Sequence, residues 1–366
     1  METYGPYLEI NLKNLEKNFN TFKSKLLSST TIIPVIKSNG YGSDGIIIAK
    51  KLIGLGVKRL AVAYTKEAIE LKNAGIKQTI MIFYPNIENI ELIVKNKFEL
   101  VIYSKALFEK TEEILKKLRI ENYPIHVKFN TGLNRLGLDI SDCHLILKKT
   151  DSIYFNLVSV YSHLGASENK KPCKFTEKQI AVFQKIKKTL IKKIKPDLGF
   201  HLLNTSGIFN YPEYQFDAVR IGIGLYGNTN SKIWDFQLKQ VLSLKAPLIQ
   251  IHNLDKGEYV GYNLGWKSNH KTKIGIIPIG HYDGINRIYG KKEVPVLINN
   301  KKTFIIGNIC MDMMMVDLTE IKCCEGDIVT IFGEQITSSE IAEIAGTISY
   351  ELISGISQRV NRKIIE

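Results

Sequence analysis

Cysteine is scarce in this sequence, and long apolar runs are absent from it. Its five cysteines are an odd number without Cys-x-x-Cys spacing, which argues against a disulfide framework, a zinc site or a redox pair. No uncharged apolar stretch approaches the roughly 20 residues of a membrane-spanning helix, and the first residues lack the basic and apolar pattern of a secretory signal. We therefore expect reduced thiols, no bound metal, no membrane association and a cytoplasmic location.

Acidic residues are also few, 36 against 50 basic ones, so the formal net charge is +14. A basic chain can bind nucleic acid because Lys and Arg neutralise phosphates. Here the lysines are scattered through segments such as 105–118 and 176–195, interleaved with Glu and Ile, and no basic cluster alternates with aromatic residues. The pattern favours a solvated lysine-rich surface that attracts small anions over a nucleic-acid interface.

The chain of 366 residues is too long for one ordinary core, and its first two-thirds alternate short apolar runs with amphipathic segments. Strands are predicted at 31–36, 60–64, 79–84, 100–103, 125–129, 157–162, 200–203 and 218–221. Helices are predicted between them at 45–55, 66–74, 87–97, 105–118, 141–149, 175–194 and 206–211. Eight such units predict an α/β fold, a (β/α)8 TIM barrel, over residues 1–236.

Beyond residue 236 the pattern changes to period-two runs separated by turn residues, which is typical of antiparallel strands. These runs lie at 242–251, 273–279, 293–298, 303–307, 313–317 and 327–332, and one helix is predicted at 338–345. We therefore expect a mainly β C-terminal domain over residues 237–366.

Polar residues follow the strands of the predicted barrel, where the active sites of such barrels gather. The candidates are Lys37, Lys128 with the segment 130–135, Ser162 and His163, the segment 204–207, and Arg220 with the glycines of 222–224. A lysine at a barrel mouth can have its pKa lowered and become a Schiff-base former, although an isolated lysine after an apolar run is usually a surface charge. Glycine-rich turns after strands seven and eight commonly bind phosphate. Together these features suggest a phosphorylated carbonyl cofactor, pyridoxal 5'-phosphate (PLP).

The string VIKSNGYG at 35–42 resembles the PLP-lysine signature of the alanine racemase family. Further matching segments follow in order along nearly the whole chain: 128–137 (KFNTGLNRLG), 161–163, 201–206, 220–227 (RIGIGLYG), 260–262, 283–284, 307–313 (GNICMDM) and 347–351 (TISYE). The order and spacing make the resemblance specific. The family fold, a PLP-binding barrel with a β-rich C-terminal domain, agrees with the pattern of predicted elements.

The resemblance implies that Lys37 carries PLP as a Schiff base and is one of two acid–base groups. Racemisation removes the α-proton from one face of the substrate and returns a proton to the other. The second group would be Tyr262, contributed by the partner chain of a head-to-tail homodimer. Because a phenol has a pKa of about 10, Tyr262 needs a nearby cation or donor, and His163 is the candidate for that link.

Arg220 matches the residue that pairs with the pyridine nitrogen of PLP. A guanidinium cannot protonate this nitrogen as a carboxylic acid would, so the ring would be a weaker electron sink with fewer side reactions. A structural ion pair is the alternative for Arg220. The other expected cofactor-binding residues are Tyr41, His163, Asn204, Thr205, Gly222, Ile223 and Tyr350, of which Tyr350 could instead be a packed core residue.

Arg135 and the backbone of Met311 match positions that bind the substrate carboxylate, and Cys310 and Asp312 are expected to line the site from the other subunit. Lys128 matches a lysine that is often carbamylated in the family. Three positions depart from the family pattern: Asn130 replaces an Asp, Asn308 replaces a common Arg, and His281 replaces an entrance Tyr. A histidine at the entrance could alter substrate access or the pH profile.

The resemblance therefore implies an alanine racemase activity, which interconverts L- and D-alanine by a two-base PLP mechanism and supplies D-alanine for peptidoglycan. Three alternatives remain open. A PLP racemase of broader specificity could act on serine, and a barrel-fold PLP decarboxylase would usually pair the pyridine nitrogen with a carboxylate where this chain has Arg220. A non-catalytic PLP-binding protein would lack the domain that carries Tyr262.

Overall fold

Two large sheets organise the chain in the computed structural model, which describes residues 5–169, 171–194, 197–229, 231–291 and 294–366. The first sheet has eight parallel strands and the second has nine strands, most of them antiparallel. A ribbon of two short strands, Tyr259–Val260 and Trp266–Lys267, is attached to the second sheet's domain. The two large sheets correspond to the predicted barrel and to the predicted β-rich C-terminal domain.

The first sheet is a closed barrel. In chain order its strands are Thr31–Pro34, Arg59–Val62, Thr79–Ile82, Glu99–Ile102, Tyr123–Lys128, Phe155–Tyr161, Gly199–His201 and Ala218–Ile221. The first strand pairs with the eighth, and a parallel bridge from Val35 to Ala61 joins the first strand to the second. The predicted (β/α)8 barrel is confirmed, with strand ends that differ by a few residues from the predicted ones.

Helices cover the outside of the barrel. They are Leu12–Ser24, Gly45–Gly54, Thr65–Asn73, Ile90–Lys95, Lys105–Leu118, Cys143–Thr150, Lys174–Ile191 and Thr205–Asn210, with 3-10 turns at Ile87–Asn89, Ile140–Asp142, Pro212–Tyr214 and Ile223–Tyr226. The helix Lys105–Leu118 shows why they form. The Ser104 hydroxyl caps it at the backbone N–H of Leu107, and its buried residues recur at helical spacing on one face. The first helix, Leu12–Ser24, was not predicted.

The second sheet forms the C-terminal domain. In spatial order its strands are Gln250–Leu254, Thr272–Ile277, Met314–Asp317, Lys301–Ile306, Pro295–Ile298, Ile328–Phe332, Leu242–Pro247, Tyr7–Asn11 and Asn361–Ile365. Helices lie at Lys232–Asp235, Ser338–Ala345 and Ser349–Ser354, and 3-10 turns lie at Tyr262–Leu264, His281–Asp283 and Arg287–Lys291. The predicted β-rich domain and its helix at 338–345 are thus present.

Several details of this domain differ from the expectation. The predicted single strand 242–251 is two strands, because Pro247 cannot donate to the ladder and the first strand ends there. The segment Tyr7–Asn11, which the sequence analysis did not assign to any strand, pairs with both Leu242–Pro247 and Asn361–Ile365. Residue 293, at the start of the predicted strand 293–298, lies outside the described residues. The division at residues 236 and 237 stays a prediction.

Among the described residues, none of the helices is both long and apolar enough to cross a membrane. Within the same residues, no group of three or more His, Cys, Asp or Glu side chains is arranged to hold a metal ion. The five cysteines are free thiols.

Arg362 ties the C-terminal domain to the loop that follows the first barrel strand. Its guanidinium donates to the backbone carbonyls of Gly42 at 2.7 Å and Ser43 at 3.0 Å. The same group donates to the carbonyls of three residues in its own domain, Ile356, Ser357 and Val360. One side chain therefore satisfies five acceptors and fixes the loop that carries Lys37 against the second domain.

We expect Arg362→Lys to destabilise the protein by about 2 kcal/mol, since one ammonium cannot span two sets of carbonyls and leaves buried acceptors unpaired. Urea unfolding of the full-length protein measures this change. The same exchange at the exposed Arg287 serves as the control and should be neutral. Equal stability of the two variants would contradict the assigned role of Arg362.

Candidate active site

A cavity of about 650 Å³ opens at the carboxyl ends of the barrel strands. Eleven of the predicted site residues line it: Lys37, Tyr41, Lys128, Arg135, His163, Asn204, Thr205, Arg220, Gly222, Ile223 and Tyr350. Sequence analysis gave no role to the other large side chains of its wall, which include Tyr64, Phe83, Tyr84, Tyr161, Glu168 and Ile348, although Tyr161 and Ile348 lie in segments that match the family. Most of the missed residues are hydrophobic, and in the sequence they resemble ordinary core positions.

Five predicted residues are not brought to this cavity within one chain. They are Tyr262, His281, Cys310, Met311 and Asp312, all of which belong to the C-terminal domain. The side chains of Tyr262 and Met311 are 68% and 57% exposed. Asn308 is buried, and its amide donates to the carbonyl of Tyr262 at 2.9 Å, so it supports the Tyr262 turn rather than an open entrance.

A left-handed turn follows Lys37. Ser38, Asn39, Gly40 and Tyr41 all have φ between 51° and 65°, and the N–H of Gly40 donates to the carbonyl of Ile36 at 3.0 Å. Left-handed helix is unfavourable for L-residues with a side chain, so the surroundings must hold it. The turn places Lys37 and Tyr41 on the same cavity.

Glu67 is the main support of this turn. Its carboxylate accepts from the backbone N–H groups of Ser38, Ala63 and Tyr64. Charge-assisted bonds to three backbone donors anchor the turn to the end of the second barrel strand. Sequence analysis missed Glu67, which carries no motif and lies in an ordinary amphipathic helix.

The cavity lowers the pKa of both of its lysines. For Lys37 the main cause is burial, followed by the positive charge of Arg135, with the Glu67 carboxylate opposing them. Burial, Arg135 and Arg220 lower the pKa of Lys128 to about 8. Both amines therefore reach the neutral, nucleophilic form more readily than a surface lysine.

Arg220 is almost fully buried and has five acceptors. It donates to Nδ1 and the carbonyl of His201, at 2.6 and 3.3 Å, and to the carbonyls of Ser162 and Leu202 at 2.6 and 3.0 Å. The fifth acceptor is Nδ1 of His163 at 3.3 Å. Burial lowers the pKa of Arg220 to about 10, so it stays cationic at neutral pH. No carboxylate among the described residues forms a salt bridge with it, so these residues give no support to the alternative of a structural ion pair.

His163 is neutral beside this guanidinium. Burial, and then the charge of Arg220, hold the pKa of His163 well below its ordinary value. Because Nδ1 accepts from Arg220, the proton of the neutral ring lies on Nε2. No contact with Tyr262 forms within one chain, and Nε2–H is the group that could make one.

The corner of the cavity around Gly222 leaves the backbone open to the approach of an anion. A Cβ on Gly222 would lie 2.0 Å from the Tyr41 hydroxyl, so only glycine fits there. Thr205 and Ile223 begin short helical turns whose first N–H groups lack partners within the turn. Tyr41 and Tyr350 add two phenols, and burial raises the pKa of both, so they remain neutral donors.

Asn204 and Asn130 support loops of the site. The Asn204 carboxamide oxygen accepts from the N–H of Gly207 at 3.0 Å and caps the helix that begins at Thr205. The Asn130 oxygen accepts from the N–H groups of Gly132 and Asn134, at 3.1 and 3.0 Å. Asn130 therefore orders the loop that leads to Arg135 instead of placing a charge beside Lys128.

The donor set fits PLP. An amine with a lowered pKa suits an aldehyde, the corner at Gly222 suits a phosphate, and Arg220 can donate to a ring nitrogen. The Cβ that would collide with Tyr41 shows that the corner admits no side chain on Gly222.

Comparisons with known proteins agree with this geometry. Residues 10–230 match the alanine racemase N-terminal domain, and residues 241–364 match the alanine racemase C-terminal domain. The chain is 33% identical to alanine racemase 1 of Clostridium acetobutylicum, over 98% of this chain and 95% of that protein. It is 34% identical to the alanine racemase of Thermodesulfovibrio yellowstonii, over 98% and 97% of the two chains.

A solved structure supports the same assignment. The alanine racemase of Clostridium difficile 630 in complex with cycloserine superimposes with a TM-score of 0.91 at 32% identity, covering 100% of this chain and 96% of that one. Both domains and the whole length of the chain are therefore accounted for. The chain belongs to the PLP-dependent alanine racemase family.

Proposed function

We propose that this protein interconverts L- and D-alanine, with Lys37 and Tyr262 as the two acid–base groups. The observation that carries the proposal is the arrangement of Lys37, Arg220 and the Gly222 corner around one cavity, in a chain that resembles alanine racemases over its whole length. PLP, when bound, supplies an electron-withdrawing ring that stabilises the negative charge left at the α-carbon of the substrate.

Lys37 acts at Nζ. Burial and the charge of Arg135 favour its neutral form, which can bind the cofactor's aldehyde and can accept a proton from one face of the substrate. Arg220 would donate to the ring nitrogen of the cofactor and keep its own proton, because its guanidinium is still cationic at neutral pH. The same charge favours a carboxylate-bearing substrate.

Tyr262 of the partner subunit would act as the acid–base group on the opposite face of the substrate. It lies on an exposed turn together with Leu264, and Met311 and Met313 are exposed in the same domain. Their exposure supports a role at an interface, since contiguous exposed apolar patches mark interaction sites. In a head-to-tail homodimer these residues would cover the partner's cavity, and the Nε2–H of His163 would lie ready to bond the Tyr262 phenol.

The substrate carboxylate would be held by Arg135 and by the backbone of Met311 from the partner, with Cys310 and Asp312 beside it. His281 would contribute to the entrance. Lys128, whose pKa is about 8, has enough neutral amine to react with carbon dioxide and become a carbamate beside Arg135. We place the enzyme in the cytoplasm as a source of D-alanine for peptidoglycan, a location that suits its five free thiols.

Lys37→Ala is expected to abolish covalent PLP binding and to reduce racemisation of L-alanine by several orders of magnitude, because no amine remains at that position. Absorbance of the PLP-loaded protein, and mass spectrometry after borohydride reduction, should locate the cofactor on Lys37 in the wild type only. Alanine at the exposed Lys58 is the control. A wild-type protein that takes up no PLP would refute the proposal, and faster turnover of L-serine than of L-alanine would favour the broader racemase.

Mixed dimers test the shared site. Tyr262→Phe should retain the cofactor but lose at least about 100-fold in racemisation, because a phenyl group cannot carry a proton. When Lys37→Ala and Tyr262→Phe chains are dissociated and reassociated in equal amounts, about a quarter of wild-type activity should return, since half of the dimers contain one intact site of two. Mixed dimers without recovered activity would show that both groups act from the same chain.

A further inference from the structure

A line of buried polar side chains runs through the barrel interior beneath the cavity. It starts at Arg220 and passes in order through His201, Ser159, His126 and Glu99. The successive distances are 2.6, 2.8, 2.7 and 2.9 Å, and every member is at most 6% exposed. Each residue comes from a different barrel strand. We name these five residues the interior relay.

The relay lies directly below the site. Lys128 and Tyr161, which line the cavity, stand two residues after His126 and Ser159 on the same strands. Because strand side chains alternate, residues two apart point to the same side of the sheet. The relay thus fills the layer of the barrel beneath the cavity floor.

The two ends of the relay allow only one direction of donation. Arg220 is a donor only, so Nδ1 of His201 must be its acceptor. At the other end Glu99 forms a two-point ion pair with Arg59, with distances of 2.6 and 2.9 Å, and is therefore an ionised acceptor. Glu99 must accept from Nε2–H of His126.

The donors and acceptors of the two hydrogen bonds at Ser159 follow from these two ends. A neutral His126 that carries its proton on Nε2 offers a lone pair at Nδ1, so the Ser159 hydroxyl donates to it. Ser159 then accepts from Nε2–H of His201, whose Nδ1 lone pair faces Arg220. Burial lowers the pKa of His126 and holds that of His201 well below its ordinary value, which agrees with two neutral rings.

If the direction of hydrogen-bond donation were reversed, the Arg220 guanidinium would be displaced. If His201 carried its proton on Nδ1, an N–H would face the N–H of Arg220 at a separation of 2.6 Å. The guanidinium would then have to leave its position, since a donor cannot bond a donor. The negative charge of Glu99 favours the same direction from the other end, because it accepts from His126 and so orients the donor of each preceding group toward itself.

We propose that Glu99 is a positioning residue for Arg220. Acting through His126, Ser159 and His201, it selects the tautomer of His201 and so holds the guanidinium toward the ring nitrogen of the cofactor. This inference rests on the proposed function, in which Arg220 contacts PLP. Glu99 itself touches neither cofactor nor substrate.

The test compares PLP-loaded Glu99→Gln and Ser159→Ala with the wild type. Gln keeps the shape of Glu99 but removes the charge, while Ala breaks the relay and leaves the Glu99 pair with Arg59 in place. We expect each variant to lower kcat for L-alanine about tenfold with little change in KM, because substrate binding by Arg135 is untouched. Ser159→Thr, which keeps a hydroxyl, should restore most of the rate.

The double variant separates relayed from local effects. If Glu99 acts through Ser159, then Glu99→Gln should add almost nothing in a Ser159→Ala background. Two independent packing defects would instead multiply their effects on kcat, and that result would overturn the proposal. Ser338→Ala, which removes a buried hydroxyl of the C-terminal domain, is the control for the loss of a buried hydrogen bond.

A readout other than activity comes from the histidine tautomers. Nitrogen-15 NMR of the histidine-labelled, PLP-loaded wild type should show His126 and His201 neutral with the proton on Nε2, and Glu99→Gln should change the His201 signal. A wild-type His201 that is protonated on Nδ1 would overturn the inference. Because this measurement uses loaded enzyme of known PLP content, its failure is distinguishable from failure of PLP binding or of racemisation.

Discussion

The buried guanidinium of Arg220 is the interaction on which the rest of the site depends. A charge taken out of water is costly unless hydrogen bonds replace its hydration, and here neutral imidazoles and backbone carbonyls do so in place of a carboxylate. The cation therefore keeps its full electrostatic effect on its neighbours. It helps to lower the pKa of Lys128 and to keep His163 neutral. A carboxylate partner would have cancelled that field and made the site less suited to an anionic cofactor.

The second requirement is a lysine positioned by an unfavourable backbone conformation in the residues that follow it. The left-handed turn after Lys37 is stable only because it is tied from both sides, by Glu67 within the barrel and by Arg362 from the C-terminal domain. Gly42 shows how close the two domains are, since a Cβ there would lie 2.1 Å from the carbonyl oxygen of Ile353. The C-terminal domain thus shapes the cofactor lysine of its own chain, apart from what it offers a partner.

Much of the fold was predictable because parallel strands buried on both sides are short apolar runs, and turn residues separate them clearly. The sequence pattern was less informative where a segment's partner is distant: Tyr7–Asn11 pairs with residues more than 200 positions away. The break at Pro247 could have been anticipated from the missing N–H of proline. The motif residues around Lys37 and Arg220 were found, because their glycine-rich turns follow strands.

The supporting residues were harder to find, and for a physical reason. Glu67 and Glu99 act through contacts that only the folded chain creates, and neither belongs to a motif. A signal did exist for Glu99 and His126: each is an ionisable residue flanked by apolar residues in a buried strand. Burial of such groups is unfavourable unless they are paired, so a polar residue in that setting indicates an internal hydrogen-bond network. In this barrel the network ends at Arg220, and the interior of the fold is thereby part of the site.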